Sequence, residues 1–261
     1  MPMFAINPRL AEVNWLINKL ALQCQLSTES AFLLIGNLHL WDASILVRSV
    51  LEGTYKLAYL CLGDETERSK KCVEFRDTLP EIMTFERSER ALKLKLHRSN
   101  EFSWEPTDDA ILSEEEINIF RAKYPRRDRS RLKQKWNFTE IAAQLSTIGD
   151  DVLGAGHASL MLYNYHRYSH FAHKDGDSCL LLYNRTFRDD VRREAVELVH
   201  AVDAIDILLA LSVIRMKYIY DLNGGPNEAI SNFAIEVKEL INQVSPAIEE
   251  WKEIEYGLTR S

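Results

Sequence analysis

Nine consecutive residues, Tyr165-His166-Arg167-Tyr168-Ser169-His170-Phe171-Ala172-His173, hold three of the chain's seven histidines together with an arginine. Imidazole exchanges a proton near neutral pH, and a guanidinium holds an anion with a fixed fork of donors. His173, or His170, is the candidate acid/base of this cluster and Arg167 its candidate anion-holding group. Arg167 and His173 are six positions apart, about 120° around a regular helix. They converge if the helix ends or distorts near Phe171, or if a second subunit completes the site. The turn signal Asp175-Gly176-Asp177-Ser178 lies just beyond.

Other groups compete for attention. Tyr165, Ser169 and His173 recur every fourth residue, with about 40° between neighbours, and so line one stripe of a helix. That polar seam reads either as a hydrogen-bond ladder inside a bundle or as a binding site. Arg48 and Glu52 are four apart on one face of the most apolar segment. Buried charges need partners, so the pair is either a structural ion pair fixing helix register or a polar site that positions a ligand. His166, His170 and His173 have spacings of four and three that suit metal ligation, with Asp175 and Asp177 as nearby carboxylates. There is no H-E-x-x-H pattern, and no metal or other cofactor is assigned. Arg121, Lys123, Arg126, Arg127, Arg129, Arg131, Lys133 and Lys135 form a basic segment flanked by Tyr124 and Trp136. Arginine beside aromatics suits phosphate contact and base stacking, with Arg126, Arg127, Arg129 and Arg131 as nucleic-acid contacts. The same segment also reads as a solvated surface.

The elements that must position these groups are helical. The 261 residues are 46% hydrophobic and 27% charged, an ordinary globular composition with material for a large core. Ten glycines and seven prolines are few for an all-β chain of this length. A net charge of -7 excludes a generic polyanion binder, so any nucleic-acid site must be a local patch. Cys24, Cys61, Cys72 and Cys179 show no C-x-x-C spacing, and three of them sit in apolar contexts, which suits a reducing compartment. The opening residues, Met1 to Pro8, lack the basic-then-apolar pattern of a signal peptide. The longest apolar stretches are interrupted by Asn37, His39, Asp42, Arg48 and Glu52, or by Asp203 and Asp206, which argues against a membrane span. A cytoplasmic protein with no membrane partner is expected.

Asn7-Pro8 is expected to open a first helix through Ala21. Ser27 or Thr28 then caps a second, central helix to about Leu62, apolar on most faces. Residues 65–99 form a charged amphipathic helix with Pro80 as a kink, and residues 100–109 a loop. Ser113-Glu114-Glu115-Glu116 and Asn137-Phe138-Thr139-Glu140 read as capping boxes. Pro125 to Lys135 is polar and basic. Further helices run from about Asp151 to His173, from Thr186 to Leu222, and from Glu228 to about Trp251, the last disturbed by Pro246. Leu180-Leu181-Leu182-Tyr183 is the one short apolar run outside a helical period. The expectation is an all-α single domain, residues 1–261, built as a bundle of long helices with residues 64–136 as a charged hairpin or insertion.

Arg48-Ser49-x-x-Glu52, followed about a hundred residues later by Tyr165-x-x-x-Ser169-x-x-x-His173, resembles a bacterial family catalogued as domain of unknown function 5677. Trp136-Asn137-Phe138 before a short helix is similar to that family as well. The likeness covers roughly Ala31 to Leu182. It implies an all-helical cytoplasmic protein, often of mobile or defence-associated gene sets, with Arg48, Glu52, Tyr165, Ser169 and His173 at the family positions. More distantly, helical architecture plus the spacing of Arg167 and His173 resembles HEPN ribonucleases. That resemblance implies a homodimeric toxin or anti-phage RNase acting on RNA, with the site at the dimer seam and an antitoxin or other partner protein. The residue after Arg167 is Tyr168, where that family more often has a small polar residue or histidine. The alternative reading is a non-catalytic binding module that uses the Arg48/Glu52 and Tyr165/Ser169/His173 seam.

Overall fold

A computed structural model describes residues 10–96, 108–147, 157–244 and 246–257. The expectations at Asn7-Pro8, over most of the 100–109 loop and at Asp151 lie outside the described residues. The fold is all-α. Its helices are α1 (Ala11–Gly36), α2 (Leu40–Cys61), α3 (Glu65–Val73), α4 (Leu79–Leu96), α5 (Glu114–Lys123), α6 (Arg126–Lys135), α7 (Phe138–Ser146), α8 (His157–His173), α9 (Gly176–Thr186), α10 (Asp190–Leu222), α11 (Asn227–Val244) and α12 (Pro246–Tyr256). The chain divides into two compact units, residues 1–62 with 141–261, and residues 63–140.

In the first unit α2 is the central helix. It packs against α1, α8 and α10, and α10 packs in turn against α11 and α12. Val47, Val50, Leu51, Leu57 and Leu60 of α2 are fully buried, as are Ile17 of α1 and Leu208 and Leu211 of α10. Gly53 lets α1 and α2 approach closely: a Cβ there would lie 2.5 Å from the Cys24 sulfur. The break between these helices falls at Asn37–His39, with Leu38 in the left-handed region at φ 60°, and not at Ser27 or Thr28 as expected. The Thr28 hydroxyl instead donates to the Cys24 carbonyl at 2.8 Å inside α1. A threonine satisfied on the preceding turn does not have to cap a new one. Arg215 is buried in the bundle, where it donates to the Thr54 and Ser212 hydroxyls at 2.9 Å each. Asn14 and Asn223 exchange side-chain amide bonds at 2.9 Å, tying the start of α1 to the end of α10.

Leu180 to Tyr183 belongs to a helix, α9, capped by the Asp175 carboxylate on the Ser178 N–H at 3.1 Å. The run looked aperiodic because its apolar side chains are mostly exposed, so no buried face set a period. The long helix expected from Thr186 starts at Asp190, where Asp189 supplies the cap. α12 begins at Pro246, a residue suited to a first helical turn.

In the second unit α3, a π-helical turn at Glu74–Thr78 and α4 run on without a break. Pro80 has no N–H to offer the preceding turn, and the wider π turn accommodates that loss. Ile82, Phe85 and Phe120 form the core of this unit, with Leu112, Ile117, Tyr124 and Leu132 packed around them. The Phe85 and Phe120 rings stack at 4.1 Å. Ser113 and Glu116 complete the capping box of α5. The polar segment after Pro125 is itself a helix, α6.

Candidate functional site

α8 buries one stripe and exposes another. Met161, Asn164, Tyr168 and Phe171 are buried, at spacings of three and four. Phe171 meets Trp41 of α2 edge to face at 4.5 Å. Tyr165, Arg167 and Ser169 are half-buried, whereas His166 and His173 are exposed. The helix stays regular through His173 and ends at Lys174, whose φ of 51° turns the chain. Arg167 and His173 therefore remain about 120° apart around one uninterrupted helix. A single chain does not bring them together.

Arg167 turns toward α10. Its Nη2 donates to the Asp203 carboxylate and, at 3.1 Å, to the Tyr168 hydroxyl, which itself donates to Asp203 at 2.9 Å. The three side chains form a closed triangle. Burial and the adjacent Asp203 charge push the Tyr168 phenol far above its ordinary range. Neither the Arg167 Nε nor its Nη1 takes part in those bonds, and the side chain stays about 30% exposed, so the guanidinium keeps donors for an anion.

Near Arg167 the structure adds a group that sequence reasoning missed. Arg185 of α9 has a buried Nε with no hydrogen-bond partner. Burial lowers its pKa to about 10; Glu197 opposes the shift, and the like charges of Arg167 and Arg188 add to it. Arg188 itself is held by Glu255 at 2.6 Å. Arg185 thus brings a guanidinium with one unpartnered N–H under the influence of Arg167, which is paired with Asp203, and of Arg188.

At the exposed end of α8, His170 Nδ1 lies 2.7 Å from the Asp175 carboxylate and 3.8 Å from that of Asp177. The hydrogen bond to Asp175 holds the His170 pKa above its ordinary value and, reciprocally, holds the Asp175 carboxyl below its own. His173 is one turn further on. Among the described residues, no group of three or more His, Cys, Asp or Glu side chains is arranged to hold a metal. His166 packs edge to face against Tyr165 at 5.7 Å.

The polar seam proves largely self-satisfied. Arg48 Nη2 donates to the Tyr165 hydroxyl at 3.1 Å and pairs with Glu52 at 3.2 Å, and Lys56 reaches Glu52 at 3.7 Å. Ser169 spends its hydroxyl on the Tyr165 carbonyl of its own helix at 2.7 Å. Only the buried Arg48 Nε is left without a partner. Arg48, Glu52 and Tyr165 thus join α2 to α8, while His173, at the end of the same stripe, faces solvent.

In the second unit half of the basic segment is neutralised locally. Lys123 pairs with Glu81 at 2.9 Å, Lys133 with Glu86 at 2.7 Å and Lys135 with Glu74 at 2.6 Å. Arg121 lies 3.7 Å from Glu89. Arg129 stacks over Phe85 at 4.7 Å and Phe120 at 5.7 Å, which places it on the core. Arg126, Arg127 and Arg131 are exposed.

The sequence pattern of the Family of unknown function (DUF5677) matches residues 14–190, and the chain belongs to that family. No curated protein and no solved structure matches it. Among the described residues no helix is long and apolar enough to cross a membrane.

Proposed function

We propose that this protein is a cytoplasmic, metal-independent ribonuclease of a toxin or anti-phage defence type, HEPN-like in its chemistry and working as a homodimer. The observation that carries the reading is the contact between His170 and Asp175 at the exposed end of α8, beside the exposed His173. A carboxylate-held imidazole whose pKa is raised favours its proton-bearing, acid form, and His173 lies one turn away in the position of the base. His173 would take the 2′-hydroxyl proton, the 2′-oxygen would attack phosphorus, and the 5′-oxygen would leave with the proton of His170. The product is a 2′,3′-cyclic phosphate. Arg167, with Arg185 near it, would stabilise the charge gathering on the phosphate oxygens.

Two copies are needed because a regular α8 separates Arg167 from His173. A second copy supplies the complementary group. Exposed apolar residues on α9 and at its C-terminal end support such an interface: Tyr183 and Phe187, 59% and 70% exposed, pack at 4.3 Å on the surface, with Leu180 one turn before Tyr183. Arg48 and Glu52 would brace α8 from α2 through Tyr165, and these residues, with Ser169, would touch no substrate.

The test is cleavage of an oligoribonucleotide by the purified full chain in EDTA, with the cyclic phosphate product resolved on a gel. Cleavage by the wild type and its loss in His173→Ala and Arg167→Ala, with the His173→Ala melting temperature unchanged, is the expected result. Absence of cleavage, or cleavage that persists in His173→Ala, removes the proposal. It would leave the seam and the end of α8 as a binding surface for a partner protein or antitoxin.

A further inference from the structure

A cavity of about 370 Å³ opens between α8, α10 and α11. It falls within the size range of small-molecule sites, roughly 300–1,000 Å³. Its walls are mostly apolar, with Met161, Ile207, Val213, Val237 and Ile241 among them, and its polar groups are Asn164, Asp203, Asp206 and Lys238. On α10, Asp203 and Asp206 lie within one turn of each other. The apolar residues then continue to Val213, about 10 Å further along at 1.5 Å per residue. The site has a polar head and a greasy body.

The head is rich in acceptors and short of donors. Asn164 is only 3% exposed, and its amide has no partner among the described residues. Asp206 has no hydrogen-bond partner among them either, and burial and the Asp203 charge both raise its pKa. Asp203 is shared with Arg167 and Tyr168. The Asn164 carbonyl lines the cavity as an acceptor and two neighbouring carboxylates repel, so a cation with N–H donors would suit both. Lys238 is exposed at the rim.

We propose that this cavity binds a primary ammonium ion carrying a short aliphatic chain, the ammonium meeting Asp206, Asp203 and the Asn164 carbonyl and the chain lying along α10 toward Val213. This ligand class follows from the shape and the acceptor set, independently of the nuclease reading.

Calorimetric titration of the full chain with n-hexylammonium, 1-hexanol and hexanoate tests it. Hexylammonium is expected to bind with saturation and about tenfold more tightly than 1-hexanol, the difference one good ionic contact supplies. Hexanoate should give no saturable heat. Asp206→Asn should bring the ammonium affinity down to that of the alcohol while leaving the alcohol unchanged, and Ala234→Leu, which fills the cavity, should remove both. Asn164→Ala provides a second, independent loss of ammonium affinity. Three results overturn the assignment: no saturable binding, an alcohol that binds as well as the ammonium, or hexanoate that binds as well or better because Lys238 sets the preference. Full ammonium affinity in Asp206→Asn overturns it too.

Discussion

The Arg48 guanidinium of α2 donates to the Tyr165 hydroxyl of α8 at 3.1 Å and sits 5.0 Å from the centre of that ring. It is one contact between residues 117 positions apart, and it holds the helix that carries Arg167, His170 and His173 against the central helix. Removing the hydroxyl in Tyr165→Phe is expected to cost about 1 kcal/mol, near the mean for a hydrogen bond to a charged group that is partly screened. Arg48→Ala should cost more, because it also takes from Glu52 the nearer of its two cations. A double-mutant cycle by denaturant unfolding should return a coupling of about 0.5–1.5 kcal/mol; additivity would mean that the contact does not brace α8.

The triangle of Arg167, Tyr168 and Asp203 makes Asp203 its keystone, since both partners end on its carboxylate. Asp203→Ala leaves a partly buried guanidinium without its counter-charge and the buried Tyr168 O–H without its acceptor, and should destabilise by about 2–3 kcal/mol. Tyr168→Phe, which keeps the ion pair, should cost about 1 kcal/mol. The order of the two melting temperatures is the check.

His170 binds its proton more tightly in the folded chain than in the unfolded one, because Asp175 accepts from it. Its contribution to stability is therefore fully present below about pH 6.5 and is lost as the pH rises through the raised folded value. Asp175 has the opposite sense: its contribution is present above the usual carboxylate pKa and is lost as the pH falls through a depressed folded value. Asp175→Asn keeps a residue able to cap α9, yet it should return the His170 titration, followed by NMR, to near 6.5. Under the proposed nuclease reading, the alkaline limb of the pH–rate profile should move down with it.

Asp206 is raised by burial first and by the charge of Asp203 second. A raised carboxyl opposes folding once ionised: the penalty is absent below the unfolded pKa and fully present above the folded one. Asp206→Asn should accordingly raise the melting temperature at pH 7 by about 2 °C, a gap that closes as the pH falls toward 4.

Phe85 is wholly buried and stacks on Phe120 in the second unit. Phe85→Ala should destabilise that unit by about 3–5 kcal/mol, whereas Arg127→Ala, at an exposed position, should stay within about 0.5 kcal/mol. Limited proteolysis should then cut residues 63–140 of Phe85→Ala selectively.

Much of this molecule is legible in the order of its residues. The helical period of α2 and α10, the Ser113 box, the break between Leu222 and Glu228 and the stop after His173 are all local signals, each set by contacts within a turn or two. The sequence also determined that Arg48 and Glu52 would share a helix face and need further partners, because that follows from spacing and from the cost of burying charge. Tertiary structure alone decided who those partners are. Whether Arg167 faces an anion or Asp203, whether Ser169 reaches a ligand or its own backbone, and whether Asn164 and Asp206 open on one cavity depend on how α8 is rotated against α10. That rotation is set by packing between residues far apart in the chain. The break after Gly36 and the α9 helix escaped sequence reasoning for the same reason: a mid-helix threonine and an exposed apolar run carry no period of their own, and only the neighbouring helices say where the chain turns.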